Sequence, residues 1–112
     1  MNDVNREVAE KVMGWRLDFN PFVAYMWVDG NRCTGFKEKD FDPMHRIEHA
    51  IMALEKFVAW DIKCRIDDET YKKWYVCDIW NGTNWYESNL KADTAPEAIC
   101  LASLKAKEGE HE

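Results

Sequence analysis

Val4, Val8 and Val12 recur at helical spacing near the start of the chain, and Ala9 and Met13 widen the stripe, which predicts a helix over 3–13. Asn2 or Asp3 can cap its start, and Gly14 can take the left-handed conformation that ends it. Residues 22–28 (Phe-Val-Ala-Tyr-Met-Trp-Val) are apolar on both faces and rich in β-formers. Asp29-Gly30 follows as a hairpin signal, with a return strand from about Asn31 to Phe36 and a charged loop over 37–41. Asp42-Pro43 reads as a cap with proline in the first helical position, and Ile47, Ile51, Leu54 and Val58 carry the helical pattern through to Val58. Trp60, Ile62, Cys64 and Ile66 then alternate with Asp61, Lys63 and Arg65, the pattern of a strand with one buried face. Asp67-Asp68-Glu69-Thr70 is a turn, Tyr71 to Trp80 a second strand, Asn81-Gly82 another hairpin signal, and Thr83 to Glu87 the partner. Thr94-Ala95-Pro96-Glu97 is a capping-box pattern that opens a helix to about Lys107, with 108–112 as a frayed tail. From Ala98 to Leu104 only Ser103 is polar, so this helix is expected to be covered on most sides.

The predicted order is α-β-β-α-β-β-β-α, an α+β class in which helices pack on a mixed or antiparallel sheet. A length of 112 residues fits a single domain, 1–112. Six Trp, five Phe and four Tyr exceed what one small core needs, and surplus rings mark an interface or ligand face unless they simply fill the core. The net charge of −6 is spread along the chain without a basic stripe, which argues against a duplex binder. Cys33, Cys64, Cys77 and Cys100 are scattered within apolar runs, where a free thiol behaves as a small buried hydrophobe. The start is polar rather than signal-like, so a reducing cytoplasm is expected. No apolar stretch approaches the roughly 20 residues that span a bilayer.

The segment Ala92-Asp93-Thr94-Ala95-Pro96-Glu97-Ala98-Ile99-Cys100-Leu101-Ala102-Ser103-Leu104-Lys105-Ala106 resembles the closing signature of the phage ABA sandwich domain family. Val8-Ala9-Glu10-Lys11-Val12-Met13-Gly14-Trp15 is similar to that family's opening helix, and Ala53-Leu54-Glu55-Lys56 to the end of its middle helix. The resemblance implies a small protein of bacteriophages and prophages with a layered α/β/α sandwich. It implies no assigned activity, so no functional residue carries over. Ile51 stands where the middle helix usually carries Trp, and the hairpin through Cys33 is distinctive, so a function particular to this member is expected in the middle of the chain.

His45-Arg46-Ile47-Glu48-His49 matches H-x-x-E-H, the inverted zinc-protease pattern. On one helix His45 and His49 would share a face as metal ligands, with Glu48 as a base. A catalytic zinc also needs a third ligand and a cleft, and the plainer reading is two solvated helix-face histidines. Ser88 and Ser103 lie in no nucleophile elbow, and the five glycines are isolated rather than gathered into a phosphate loop. Trp74, Val76, Asp78 and Trp80 share one strand face, and Trp85 and Tyr86 follow across the turn. A carboxylate between two indoles is unfavourable unless it is exposed or paired. The cluster therefore suits stacking of a base or anchoring of a partner protein, against the alternative of an edge strand whose Asp discourages pairing. From Asp42 onward the order α-β-β-β-α is that of double-stranded-RNA-binding domains, but the start of the last helix carries no basic residue.

These readings converge on a non-enzyme without a cofactor, a homo-oligomer in the cytoplasm of a bacterial host. It acts by binding a host protein such as a defence component. The alternative is a sponge for a nucleotide-type signal, with Arg32, Lys63 and Arg65 serving phosphates.

Overall fold

In the computed structural model residues 3–22, 24–87 and 91–109 are described, so Asn2, Val23, Ser88 and the last three residues of the expected tail lie outside the described residues. The valine stripe forms α1 (Asp3–Glu7), which runs into a π-helical turn over Val8–Val12. Met13 N–H donates to the Val8 carbonyl at 3.0 Å, one residue further than an α-helix would reach. Gly14 takes φ +72°, and Trp15 N–H returns to the Ala9 carbonyl at 2.9 Å. The wider turn brings Val8, Ala9, Val12 and Met13 into the core and delivers Trp15 behind them.

Two antiparallel three-stranded meanders follow. Sheet A is β1 (Arg16–Asn20), β2 (Ala24–Asp29) and β3 (Arg32–Lys37). Sheet B is β4 (Ala59–Ile66), β5 (Lys73–Trp80) and β6 (Trp85–Glu87). Between them lies α2 (Ile47–Leu54), and α3 (Ala95–Gly109) closes the chain. The α+β class and the layered helix-and-sheet arrangement match the sequence reading, with both sheets antiparallel and one strand more than expected. That strand, β1, carries only Leu17 and Phe19 as apolar residues, too short a pattern to announce itself. It forms because β2 offers it a ladder, with Leu17 opposite Trp27 and Phe19 opposite Tyr25. The β2–β3 loop is Gly30-Asn31, one residue later than the expected Asp29-Gly30, because Asp29 pairs with Arg32.

The middle helix is shorter than the periodicity suggested. Asp42-Pro43 opens a separate turn closed by Arg46 N–H to the Asp42 carbonyl at 2.9 Å. Arg46 is then extended (φ −115°, ψ 115°), so α2 starts only at Ile47. Asn5 holds that turn in place, its Nδ2 donating to Asp42 Oδ1 at 2.7 Å and its Oδ1 accepting from Met44 N–H at 2.9 Å. At the other end Phe57, not Val58, enters the core.

Thr94 caps α3 as expected, its hydroxyl accepting from Glu97 N–H at 3.3 Å. One flank of α3 packs on β5 through the buried Cys77 and Ile79, and α2 and the π turn pack against α3 as well. Burial of Ala98, Ile99, Cys100, Ala102, Ser103, Leu104 and Ala106 meets the expectation of a helix covered on most sides. Trp15, Phe36, Phe41 and the His49 ring form a connected ring cluster that joins sheet A to α2.

Two expectations are corrected here. The alternating row of β4 is not a buried face: of its four apolar members only Ile62 is half-buried, because α3 lies mainly over β5 and β6 and leaves β4 beyond its cover. Cys33 and Cys64 are likewise exposed, and only Cys77 and Cys100 are buried thiols. Burial pushes both of those up to about 12, so they stay protonated and inert.

Candidate functional site

Cys77 and Ile79 point from β5 into α3, so strand alternation sends Trp74, Val76, Asp78 and Trp80 to the opposite, open face of sheet B. The β4–β5 register sets Arg65 beside Trp74, Lys63 beside Val76, Asp61 beside Asp78 and Ala59 beside Trp80. From β6, Trp85 lies opposite Trp80, with ring centroids 5.7 Å apart and Trp85 itself 55% exposed. The result is a row of indoles flanked by a row of charges.

Asp78 is the unusual member. Its side chain is only 13% exposed, and Oδ2 lies 3.5 Å from Lys63 Nζ. Lys63 is shared with Asp61, at 3.8 Å. Asp78 Oδ1 is buried and accepts no hydrogen bond among the described residues. A desolvated carboxylate oxygen without a donor, set against a second carboxylate across the ladder, is unfavourable in the isolated fold and ready for a donor from outside. At the far end of the row Lys91 Nζ sits 4.9 Å over the Trp74 ring. Beside it a cavity of about 170 Å³ is lined by Asp67, Thr70, Lys72, Trp74, Lys91 and Asp93. That is below the roughly 300 Å³ of small-molecule sites, so it does not enclose a nucleotide.

The structure brings together Trp74, Asp78, Trp80 and Trp85 and separates Tyr86 from them. Tyr86 pairs with Ile79 and therefore faces the helices. Its hydroxyl accepts from Asn81 Nδ2 at 3.4 Å, and its ring lies so close to Gly109 that a Cβ there would collide with it. The loop after β5 is four residues long rather than two, with Asn81 Oδ1 accepting from Thr83 and Asn84 N–H, which is why Trp80 meets Trp85. Asp61 and Lys91 were not anticipated as members of the face. The alternation of Asp61, Lys63 and Arg65 carried that signal, but it places them only once the hairpin register is known. A second exposed ring group was missed with β1: Phe19 packs edge-on against Tyr25 at 5.6 Å on sheet A, and Phe22 is exposed beside them.

The H-x-x-E-H residues do not assemble as a metal site. His45 lies in the turn before α2, exposed, with Nδ1 2.9 Å from Asp42 Oδ1. His49 is buried, its Nδ1 accepting from Asp42 N–H at 2.9 Å while its ring stacks on Phe41. Glu48 is held by Arg46 at 2.8 Å. Among the described residues no group of three or more candidate metal ligands gathers. Burial holds the His49 pKa below the ordinary histidine range, helped by the Arg46 charge. Burial pushes the Asp42 carboxyl up, but hydrogen bonds from His45 and Asn5 outweigh it and hold it below the usual carboxylate range. Arg32 lies on β3 of sheet A and does not join Lys63 and Arg65. No helix among the described residues is long and apolar enough to cross a membrane.

No curated protein matches the chain. A crystal structure of a phage protein from Bacillus cereus ATCC 14579 is similar in fold, with a TM-score of 0.58 and 24% sequence identity over 95% of this chain and 92% of that one. The family model of the phage ABA sandwich domain matches residues 6–104, which contain the opening motif, both sheets and the closing motif as far as Leu104. The chain belongs to the phage ABA sandwich domain family.

Proposed function

We propose that this phage-family protein acts by binding a protein of the bacterial host, in the host cytoplasm, through the open face of sheet B. The observation that carries the reading is Asp78 Oδ1, desolvated and without a donor among Trp74, Trp80 and Trp85. Indoles around a polar group that awaits a partner are the composition of an interface hot spot. The host protein supplies an N–H or cationic donor to Asp78 and an apolar surface to the Trp80–Trp85 pair. The test is capture of host proteins by the tagged chain and by its Trp80→Ala and Trp85→Ala variants, followed by reconstitution with the purified candidate. Loss of more than tenfold in affinity on removing either ring is expected, since a hot-spot truncation removes about 2 kcal/mol or more. Folded variants that bind the candidate as well as the parent chain would sink the proposal.

A second reading is favoured by one specific observation, that Lys63 and Arg65 share this face with the indoles. It makes the face a sponge for a nucleotide-type signal, the rings stacking the base and the cations meeting phosphate. Native mass spectrometry after exposure to lysate separates the two, because a retained small-molecule mass belongs only to the sponge.

A further inference from the structure

Among the described residues β4 is the outer strand of sheet B, and its only ladder is the one with β5. Its free edge is eight residues long and flat enough to pair with β5 without a register shift. Such an edge is a template for another strand. Its core-side row is also left open, with Trp60 40% and Ile66 53% exposed.

The residues of this strand are arranged symmetrically about Lys63. Two positions out on either side stand Asp61 and Arg65, charges of opposite sign. One position out stand Ile62 and Cys64, and three positions out Trp60 and Ile66. Two antiparallel copies related by a two-fold axis through Lys63 therefore meet with Asp61 opposite Arg65 twice, Trp60 opposite Ile66 twice and Ile62 opposite Cys64 twice. Directly opposed residues in an antiparallel ladder point to the same face, so apolar pairs fall on one face and ion pairs on the other. Arg65 has no ion pair within its own chain among the described residues, so it is available. The two Lys63 ammonium groups that meet at the axis each already lie by Asp61 and Asp78 of their own chain.

Neighbouring registers pair less. An axis through Ile62 sets Asp61 against Lys63, which it already neighbours in its own chain, and leaves Arg65 against Ala59; one through Cys64 sets Lys63 against Arg65 and Asp61 against Asp67. We infer that two copies of this chain associate edge to edge along β4 in the register centred on Lys63, fusing their B sheets into one six-stranded sheet. The pairing concerns the edge of the strand and does not rest on the partner-binding role of the sheet's face, which it would set out twice, side by side.

The experiment is light scattering and sedimentation of the full chain over a dilution series, with Asp61→Arg, Arg65→Asp and the double reversal. The parent chain is expected as a dimer. Each single reversal opposes like charges twice and is expected to raise the dissociation constant by about tenfold or more. The double reversal is expected to bring it back towards the parent value, which a folding defect would not do. Asp61→Arg faces Asp78 across the β4–β5 ladder, so the fold tolerates it. A second measurement is independent of charge. In a Cys33→Ser/Cys64→Ala background, Lys63→Cys sits on the axis and is expected to cross-link two chains under mild oxidation, within the span a disulfide bridges. Asp61→Cys is displaced from its own copy by four residues along the strand and is expected not to. A parent chain that stays monomeric at the highest concentration, a dimer indifferent to the single reversals, no rescue by the double, or equal cross-linking at 61 and 63 would each overturn the inference.

Discussion

Trp27 lies in the central strand of sheet A and is 1% exposed, whereas Trp74 and Trp80, in the central strand of sheet B, are turned to that sheet's open face. Both sheets are antiparallel meanders of similar length, so strand propensity does not separate them. The difference lies in what each inner face meets. Sheet B is covered by α3, whose buried residues are mostly small (Ala98, Cys100, Ala102, Ser103, Ala106) beside Ile99 and Leu104, and small residues let backbones approach closely. The strand beneath answers with Cys77 and Ile79, and the indoles are displaced to the other side. On sheet A the Trp15 and Phe41 rings pack against Phe36 of β3, and Trp27 is buried in the same core. Large apolar residues are thus buried or open according to what their strand face meets rather than by their own hydrophobicity.

Paired truncations break this comparison most directly. Trp27→Ala is expected to destabilise the chain by about 3–5 kcal/mol, against less than about 1 kcal/mol for Trp85→Ala, in chemical denaturation. Similar losses at both positions would mean that the face of sheet B is as covered as that of sheet A. The polar clasp between the N-terminal helix and the Asp42 turn comes next. Asn5→Ala leaves the half-buried Asp42 carboxylate with His45 alone and the Met44 N–H without its partner, and is expected to lower stability by about 1–3 kcal/mol.

The same clasp gives a pH signature. His49 is held neutral when folded, so its contribution is complete above the ordinary histidine pKa of about 6.5 and is lost as pH falls below that towards the lowered folded value. Asp42, also lowered, adds a loss of the same sign, but only once pH falls into the carboxylate range. His49→Phe is expected to abolish the first arm of the stability profile and keep the second.

A smaller effect of opposite sign is expected at the candidate site. Asp78→Val removes an unsatisfied oxygen and a like-charge neighbour, and stability is expected to rise by about 1 kcal/mol while partner binding falls. A fall in stability would mean that the Lys63 contact outweighs the orphaned oxygen. Finally, native thiol labelling is expected to modify Cys33 and Cys64 and to spare Cys77 and Cys100, with no change in stability.

Much of this fold was legible before the structure. The valine stripe of α1, the Thr94 cap, the apolar run of α3 and the alternation of Trp74 to Trp80 are local patterns of three to eight residues, and each produced the element it announced. The limits of α2 were not legible. Val58 fits the helical period as well as Leu54 does and fails because Phe57 takes the core position, while the start is delayed because Arg46 extends after the turn held by Asn5, far away in the chain. The site was half legible. Period-two alternation put Trp74, Asp78 and Trp80 on one face, but Tyr86 was grouped with Trp85 although adjacent strand residues point opposite ways.

What the sequence by itself determined is the periodic content of each segment, because amphipathic spacing, capping and turn chemistry act over a few residues. It determined the class and the order of charges along β4 in the same way, and its end motifs carried the resemblance to the family. Only the tertiary structure decided which face of each strand is covered. That depends on where α3 comes to rest, over β5 and β6 and short of β4, and this placement turned the indoles and Asp78 to the uncovered face and left the edge of β4 open.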